Sequence, residues 1–241
     1  MAGYEQQVRI ELHQWQRKMK RRPSIWNKTS KFFQRKVNNI IPDRVHQLFT
    51  TTIKQMTRAV LTGAEYTTSS PLQKVGLEER ERRVLGRIEF YRNTAAIEGA
   101  VTGAGGILMG LADFPIWLTL KMKMLFEIAA LYGFDAGEYK ERIYLLHIFQ
   151  LSFSSQEHRN QVYLQLAHWE QYSQTLPEDI NQFDWLHFQQ EYRDYIDLAK
   201  LLQLVPGIGA VVGAYVNHKL TDQLGHTAMN AYRMRWMKAG Y

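Results

Sequence analysis

"IEGAVTGAGGILMGLADFPIWLTL", residues 97–120, sets five glycines between Gly99 and Gly110, then Asp113, Pro115 and an apolar run. Three readings compete for it: a phosphate-cradling loop, a membrane crossing, and a closely packed buried helix. The loop reading fails on spacing. A dinucleotide fingerprint needs G-x-G-x-x-G between a strand and a helix. Here Gly103 and Gly105 are followed by Leu108 where the third glycine belongs, and no lysine follows to make a phosphate loop. A second block, "PGIGAVVG" with Gly207, Gly209 and Gly213, is closer in form, but it continues the helical pattern of "YIDLAKLL" and is interrupted by Pro206. No nucleotide partner is expected, and no cofactor.

The membrane reading is stronger. Residues 99–120 hold one formal charge, Asp113, and as a helix this stretch would reach about 33 Å, enough for a bilayer. Against that, an Asp near the middle of a span costs roughly 2.5–3.5 kcal/mol. Pro115 removes a backbone donor as well, and the uninterrupted uncharged run stops at Ala112, at the length of a buried or re-entrant helix. The buried helix is the preferred reading. Glycines inside a helix each cost about 1 kcal/mol against Ala, so they need a reason. Gly99 and Gly103, Gly106 and Gly110, and Gly209 and Gly213 are each four apart, which smooths one helix side for the close approach of another backbone. The two glycine-rich segments are therefore expected to pack together. Asp113, just ahead of Pro115, suits an N-cap for the helix that follows.

Helical periodicity extends outward in both directions. Val8, Leu12, Trp15 and Met19 share one face, as do Val45, Leu48, Phe49, Ile53, Met56 and Val60. "LKMKMLFEIAALYGFD" should end at Gly133. "AGEYKERIYLLHIFQLSF" looks amphipathic, with Tyr139, Ile143, Leu146, Ile148 and Phe149 inside. No period-two alternation stands out. The chain is expected to be all-α, with roughly nine to eleven helices in a single compact multi-helix domain over residues 1–241. Residues 1–63 form basic amphipathic helices, 64–76 a loop, and 77–241 a core with the two glycine-rich helices at its centre.

The chain has no cysteine, which excludes disulfides, thiolate zinc sites and cysteine nucleophiles. No H-x-x-x-H or H-E-x-x-H spacing supports a metal, and no G-x-S-x-G elbow appears. Glu98, Asp113 and Glu127 flank the most apolar part of the chain, with Lys121 among them. Together with Asn217 they are candidates for a ligand or ion site, although a helix cap and buried salt bridges are the preferred explanation of these acids. A hydrolase acting on lipid or peptide would use these carboxylates. A carrier of lipid or another hydrophobic ligand would instead need an apolar cavity.

The net charge of +7 is concentrated near the N-terminus: residues 12–42 contain no Asp or Glu. Arg17, Lys18, Lys20, Arg21, Arg22, Lys28, Lys31, Arg35 and Lys36 alternate there with Trp15, Trp26, Phe32 and Phe33. Cations interleaved with aromatics suit the anionic surface of a membrane or a membrane-protein partner. Nucleic acid is a rival ligand, but no recognition motif accompanies the patch. The N-terminus has no uninterrupted apolar core of the signal-peptide kind.

As a set, "GAVTGAGGILMGLADFPIWLTLKMKMLFEIAALYGFD", "VPGIGAVVGAYVNHKL" and "LGHTAMNAYRMRW" closely resemble the EcsC family of bacterial proteins. "YEQQVRIELHQWQRKM" matches too, so the resemblance covers essentially the whole chain. Gly103, Gly105, Gly106, Gly110, Asp113, Pro115, Glu127, Gly133, Pro206, Gly209, Gly213 and Asn217 are its landmarks. The resemblance implies a protein encoded beside an ABC transporter's ATPase and membrane subunits, and it carries over no catalytic residue. Together these readings give an accessory protein peripheral on the cytoplasmic face of the membrane, bound to anionic lipid, to a transporter membrane subunit, or to both.

Overall fold

The computed structural model describes residues 2–21, 43–62, 70–104, 114–154, 158–179, 182 and 210–239. Among the described residues every regular element is a helix: α1 (Ala2–Lys20), α2 (Asp43–Thr62), α3 (Leu77–Ala104), α4 (Phe114–Tyr132), α5 (Tyr139–Phe153), α6 (Arg159–Ala167), α7 (Trp169–Gln174) and α8 (Ala210–Lys238). The all-α expectation holds. One hydrophobic cluster takes residues from all eight helices, from Val8 on α1 to Trp236 on α8, so α1 and α2 share the core of the remainder.

The axis of the fold is the pair α3 and α8. Glu81 meets Arg233, Ile88 lies against Gly225, and Arg92 reaches Asp222. Each step up α3 is thus matched by a step down α8, and the pair is antiparallel. Small residues permit the close approach. A Cβ on Gly225 would stand 2.6 Å from Cγ1 of Ile88, a distance real Cβ atoms do not adopt. On α3 the seam reads Leu77, Glu81, Val84, Ile88, Tyr91, Ala95, all buried and spaced by alternating fours and threes. The charged helix then runs without a break into the glycine-rich stretch as far as Ala104. Carried on from these contacts, the same register places Gly99 abreast of residues 214–215 and Gly103 abreast of 210–211. Gly106, Gly110 and Gly209 lie outside the described residues.

Helix α4 begins at Phe114 with Pro115 in its first turn, where a missing N–H costs nothing. Asp113 itself lies outside the described residues. The helix ends at Gly133 as the sequence predicts. Gly133 has φ +91°, its N–H bonds to the Ala130 carbonyl (3.0 Å), and the Phe134 N–H reaches back to Ala129 (3.0 Å), the paired bonds of a Schellman cap. Arg80 locks this end to the preceding loop. Its Nη1 donates to the carbonyls of Leu131 (2.8 Å) and Leu72 (2.7 Å), and its Nε to Val75 (2.8 Å).

Two expectations need correction. Helix α5 is not amphipathic: from Ile143 to Phe153 every residue is buried, because α2, α4, α6 and α8 all pack around it. The stretch "SSQEHRNQVYLQLAHWEQYSQTL", residues 154–176, whose spacing predicts one helix, bends at His168 into α6 and α7. The bend turns Trp169 inward, where its ring meets Tyr144 at 4.9 Å and His147 at 5.8 Å.

Candidate functional site

Basic charge accumulates toward the end of α1. Glu5, Arg9 and Glu11 occupy its first half, and Arg17, Lys18, Lys20 and Arg21 are all exposed at its far end. Cations at a helix C-terminus are favoured by the dipole. The other side of α1 is occupied: Val8, Leu12 and Met19 are buried in the core. Half-buried Trp15 stands edge-on to Tyr163 at 5.9 Å, with Lys20 Nζ 5.9 Å above the same ring. Arg17, Lys18 and Arg21 have no ion-pair partner among the described residues. Arg22, Trp26, Lys28, Lys31, Phe32, Phe33, Arg35 and Lys36 lie outside the described residues.

The acidic half of α1 is tied to a buried ionic cluster. The Arg233 guanidinium grips Glu81 with Nε on Oε1 (2.7 Å) and Nη2 on Oε2 (2.6 Å). Tyr132 adds a bond to Oε1 (3.1 Å) and Tyr4 one to Oε2 (2.7 Å). The remaining Arg233 Nη1 reaches Glu11 of α1 at 3.0 Å. Burial works against the Arg233 charge, but the bonds to Glu81 outweigh it and hold the guanidinium above its ordinary value. Burial and then the Glu81 carboxylate push the Tyr4 hydroxyl up. With four donors around it, the Glu81 carboxylate has no free lone pair for acid–base work, so the cluster is a clamp between α1, α3, α4 and α8. A cleft of about 360 Å³ opens beside it, lined by Trp15, Leu85, His226 and Asn230 among others.

A second clamp lies nearby. Glu141 accepts from Tyr232 (2.6 Å) and Arg235 (2.6 Å). The Arg235 guanidinium sits 3.8 Å from the Phe134 ring centre and 4.6 Å from that of Tyr144. Burial raises the Glu141 carboxyl above its ordinary value, against the pull of Arg235.

Of the three carboxylates read from sequence, Glu127 is committed to holding α4 on α3. Tyr91 donates to its Oε1 at 2.8 Å and Arg87 pairs with its Oε2. The Glu98 side chain and Asp113 lie outside the described residues. Asn217 is buried on α8, and its Oδ1 has no hydrogen-bond partner among the described residues. It does not meet Glu127. Tyr132 stacks on Tyr232 at 5.4 Å, and the parallel register of α4 and α8 then sets Asn217 level with Trp117, ten residues from Glu127, or about 15 Å along the axis. Among the described residues no three of His, Asp and Glu are grouped as metal ligands, and no helix is long and apolar enough to cross a membrane.

The sequence reading missed Glu81, Glu141, Arg233 and Arg235. "LEERERR" looks like a solvated charge run, yet Glu81 falls on the Leu77–Val84–Ile88 seam. A charge in register with an apolar stripe was the available signal.

The model of the EcsC protein family matches residues 6–237. The chain is 41% identical over 229 residues to Protein EcsC of Bacillus subtilis, covering 95% of this chain and 94% of that protein. It is 27% identical over 246 residues to uncharacterized protein YdbA of the same organism, covering 93% of this chain and 90% of that one. No solved structure matches the chain.

Proposed function

The chain belongs to the EcsC family, and from that premise we propose that it is a non-enzymatic accessory protein which docks peripherally on the cytoplasmic face of a membrane. Its ligand is anionic lipid or the membrane subunit of an ABC transporter, and the contact runs through Arg17–Lys36. The observation that carries this reading is the division of α1: its apolar side and Glu11 are engaged by the protein itself, whereas Arg17, Lys18, Lys20 and Arg21 face outward. Cations held clear of internal carboxylates remain available to phosphate. Each one close to an anionic surface contributes about 1 kcal/mol, so four or five engaged together give a reversible attachment.

Co-sedimentation with vesicles of phosphatidylglycerol and phosphatidylcholine tests it. Binding should be strong at low salt and should be lost by roughly 0.5 M, where the Debye length has shrunk to a few ångströms. Reversing Arg17, Lys18 and Arg21 to Glu should weaken it by about a hundredfold or more. Absence of binding at low salt, or attachment that survives alkaline carbonate, would overturn peripheral docking. Crosslinking in cells that carry the transporter separates a protein partner from lipid. The hydrolase reading needs carboxylates converging on a water-filled cleft, and Glu127 is already engaged by Arg87 and Tyr91. The carrier reading needs an apolar cavity. Among the described residues, two clefts beside α1 are lined in part by charge, Glu5, Glu78, Glu79 and Arg82 in one and Glu11 and Arg233 in the other.

A further inference from the structure

Helix α1 lies across the bundle rather than along it. It touches α3 through Tyr4 on Glu81, then α8 through Glu11 on Arg233, then α6 through Trp15 and Lys20 on the ring of Tyr163. A helix that crosses its neighbours meets each of them only briefly. Val8, Leu12 and Met19 are accordingly the buried residues of α1 among those described, with Tyr4 and Trp15 half-buried. The seat is also incomplete. A cleft of about 420 Å³ opens between Tyr4 and Leu77, and one of about 360 Å³ between Gln7, Trp15, Leu85 and His226.

The ionic cluster beneath α1 is complete without it. Glu81 keeps both guanidinium bonds from Arg233 and the bond from Tyr132 if Tyr4 and Glu11 withdraw. Neither buried ion then loses its counter-charge, so the large penalty of breaking a buried pair does not hold α1 down. Glu11, already 46% exposed at its side chain, passes to water. The seated helix offers a bilayer only its cations, because its apolar stripe faces the protein. Freed, the same helix has the pattern of an interfacial one, with Val8, Leu12, Trp15 and Met19 for the acyl boundary. At about 100° per residue, Arg9 and Lys18 fall to either side of that stripe, where they reach phosphate. A soluble acidic partner would satisfy the cations and leave the stripe where it is.

We infer that α1 is a releasable anchor. Tyr4 and Glu11 latch it across α3 and α8 away from the membrane, and on an anionic bilayer it leaves this seat and lays its apolar stripe into the interface. The inference rests on the membrane-docking reading above and adds to it the conformational step by which the apolar side of α1 joins its cations.

The chain has no cysteine, so a pair of introduced thiols can be joined without side reactions. Gln7 of α1 and His226 of α8 are both exposed and line one cleft. Gln7→Cys with His226→Cys, bridged by a short crosslinker that a reductant cleaves, tethers α1 to its seat. Vesicles of equal parts phosphatidylglycerol and phosphatidylcholine are then added at low salt. The tethered protein should bind them about tenfold more weakly than the same variant capped on both thiols by a one-armed reagent, and reduction should restore the binding. Tyr4→Phe, which removes the bond to Glu81 without changing charge, should bind about threefold more tightly than the natural chain. No gain there, or equal binding of the tethered and capped forms, would show that α1 stays seated; release is then wrong and the docking reading stands. Loss of binding in the capped form would show that the cleft face itself is the contact, which also overturns release. If the natural chain does not co-sediment, both readings fall.

Discussion

At the Glu81 end of the α3–α8 pair, large side chains and charge join the helices; further along, at Gly225, a small residue does. Near Glu81, four donors surround one carboxylate, and the rings of Tyr132, Phe134 and Tyr144 crowd Tyr232 within 5.5 Å. Near Gly225 the helices approach on glycine, with Ile88 against it, and beyond it Ile97 and Tyr215 are exposed. The same two helices are thus held by charge and rings at one place and by close backbone approach at another.

The comparison is most directly broken at Arg233. Arg233→Met leaves Glu81 buried without its counter-charge and should cost about 3–5 kcal/mol in denaturant melts. The double variant with Glu81→Leu should cost less than the sum of the two single changes, because the uncompensated charge is gone. Equal and additive losses would mean that the cluster is not one unit.

Acid sharpens the contrast, because His147 is buried on the clamp side of the molecule. Its Nδ1–H donates to the Ile143 carbonyl at 2.8 Å, and burial pushes its pKa down to about 4. In the unfolded chain it titrates near 6.5, so between these values the unfolded state binds the proton and the folded state does not. Stability should therefore fall as pH drops from about 6.5 to 4, by about 3 kcal/mol from this group. Glu141, raised by burial, works with the opposite sign. A stability–pH profile of His147→Phe that keeps the full acid-side decline would refute the assignment.

The small-residue side is probed at Gly225 and Gly103. Gly225→Ala forces a Cβ onto Ile88 and should cost about 1–3 kcal/mol. Gly103→Leu should destabilise for the same reason if the register continues to the end of α3, and an unchanged melting temperature would show that the helices splay there. The smallest effect is expected from reversing Arg17, Lys18 and Arg21 to Glu. Exposed sites of this kind change stability by no more than about 0.5 kcal/mol, so a loss of vesicle binding without a change in melting temperature would separate docking from folding.

The sequence carried the helices where patterning is strongest. Val8, Leu12 and Met19 on α1, and Ile53, Met56 and Val60 on α2, are buried as their spacing predicts, and Gly133 ends α4. It misled where burial is complete, as on α5, since a helix covered on every side has no polar face to mark its orientation. The site was less legible. The exposed cations of α1 stand where the sequence placed them, and Trp15 leans on Tyr163. The buried clamp was concealed because charges in "LEERERR" differ only in which side of the helix they occupy.

By itself, then, the sequence determined the all-α class, the family, the ends of several helices and the separation of basic from acidic residues, because each is written in local spacing or composition. Only the tertiary structure decided which charges are buried and what each holds. It also decided that Tyr4, Glu81, Tyr132 and Arg233, from four helices, meet in one cluster. Those facts depend on the antiparallel register of helices more than a hundred residues apart in the chain, which no local pattern encodes.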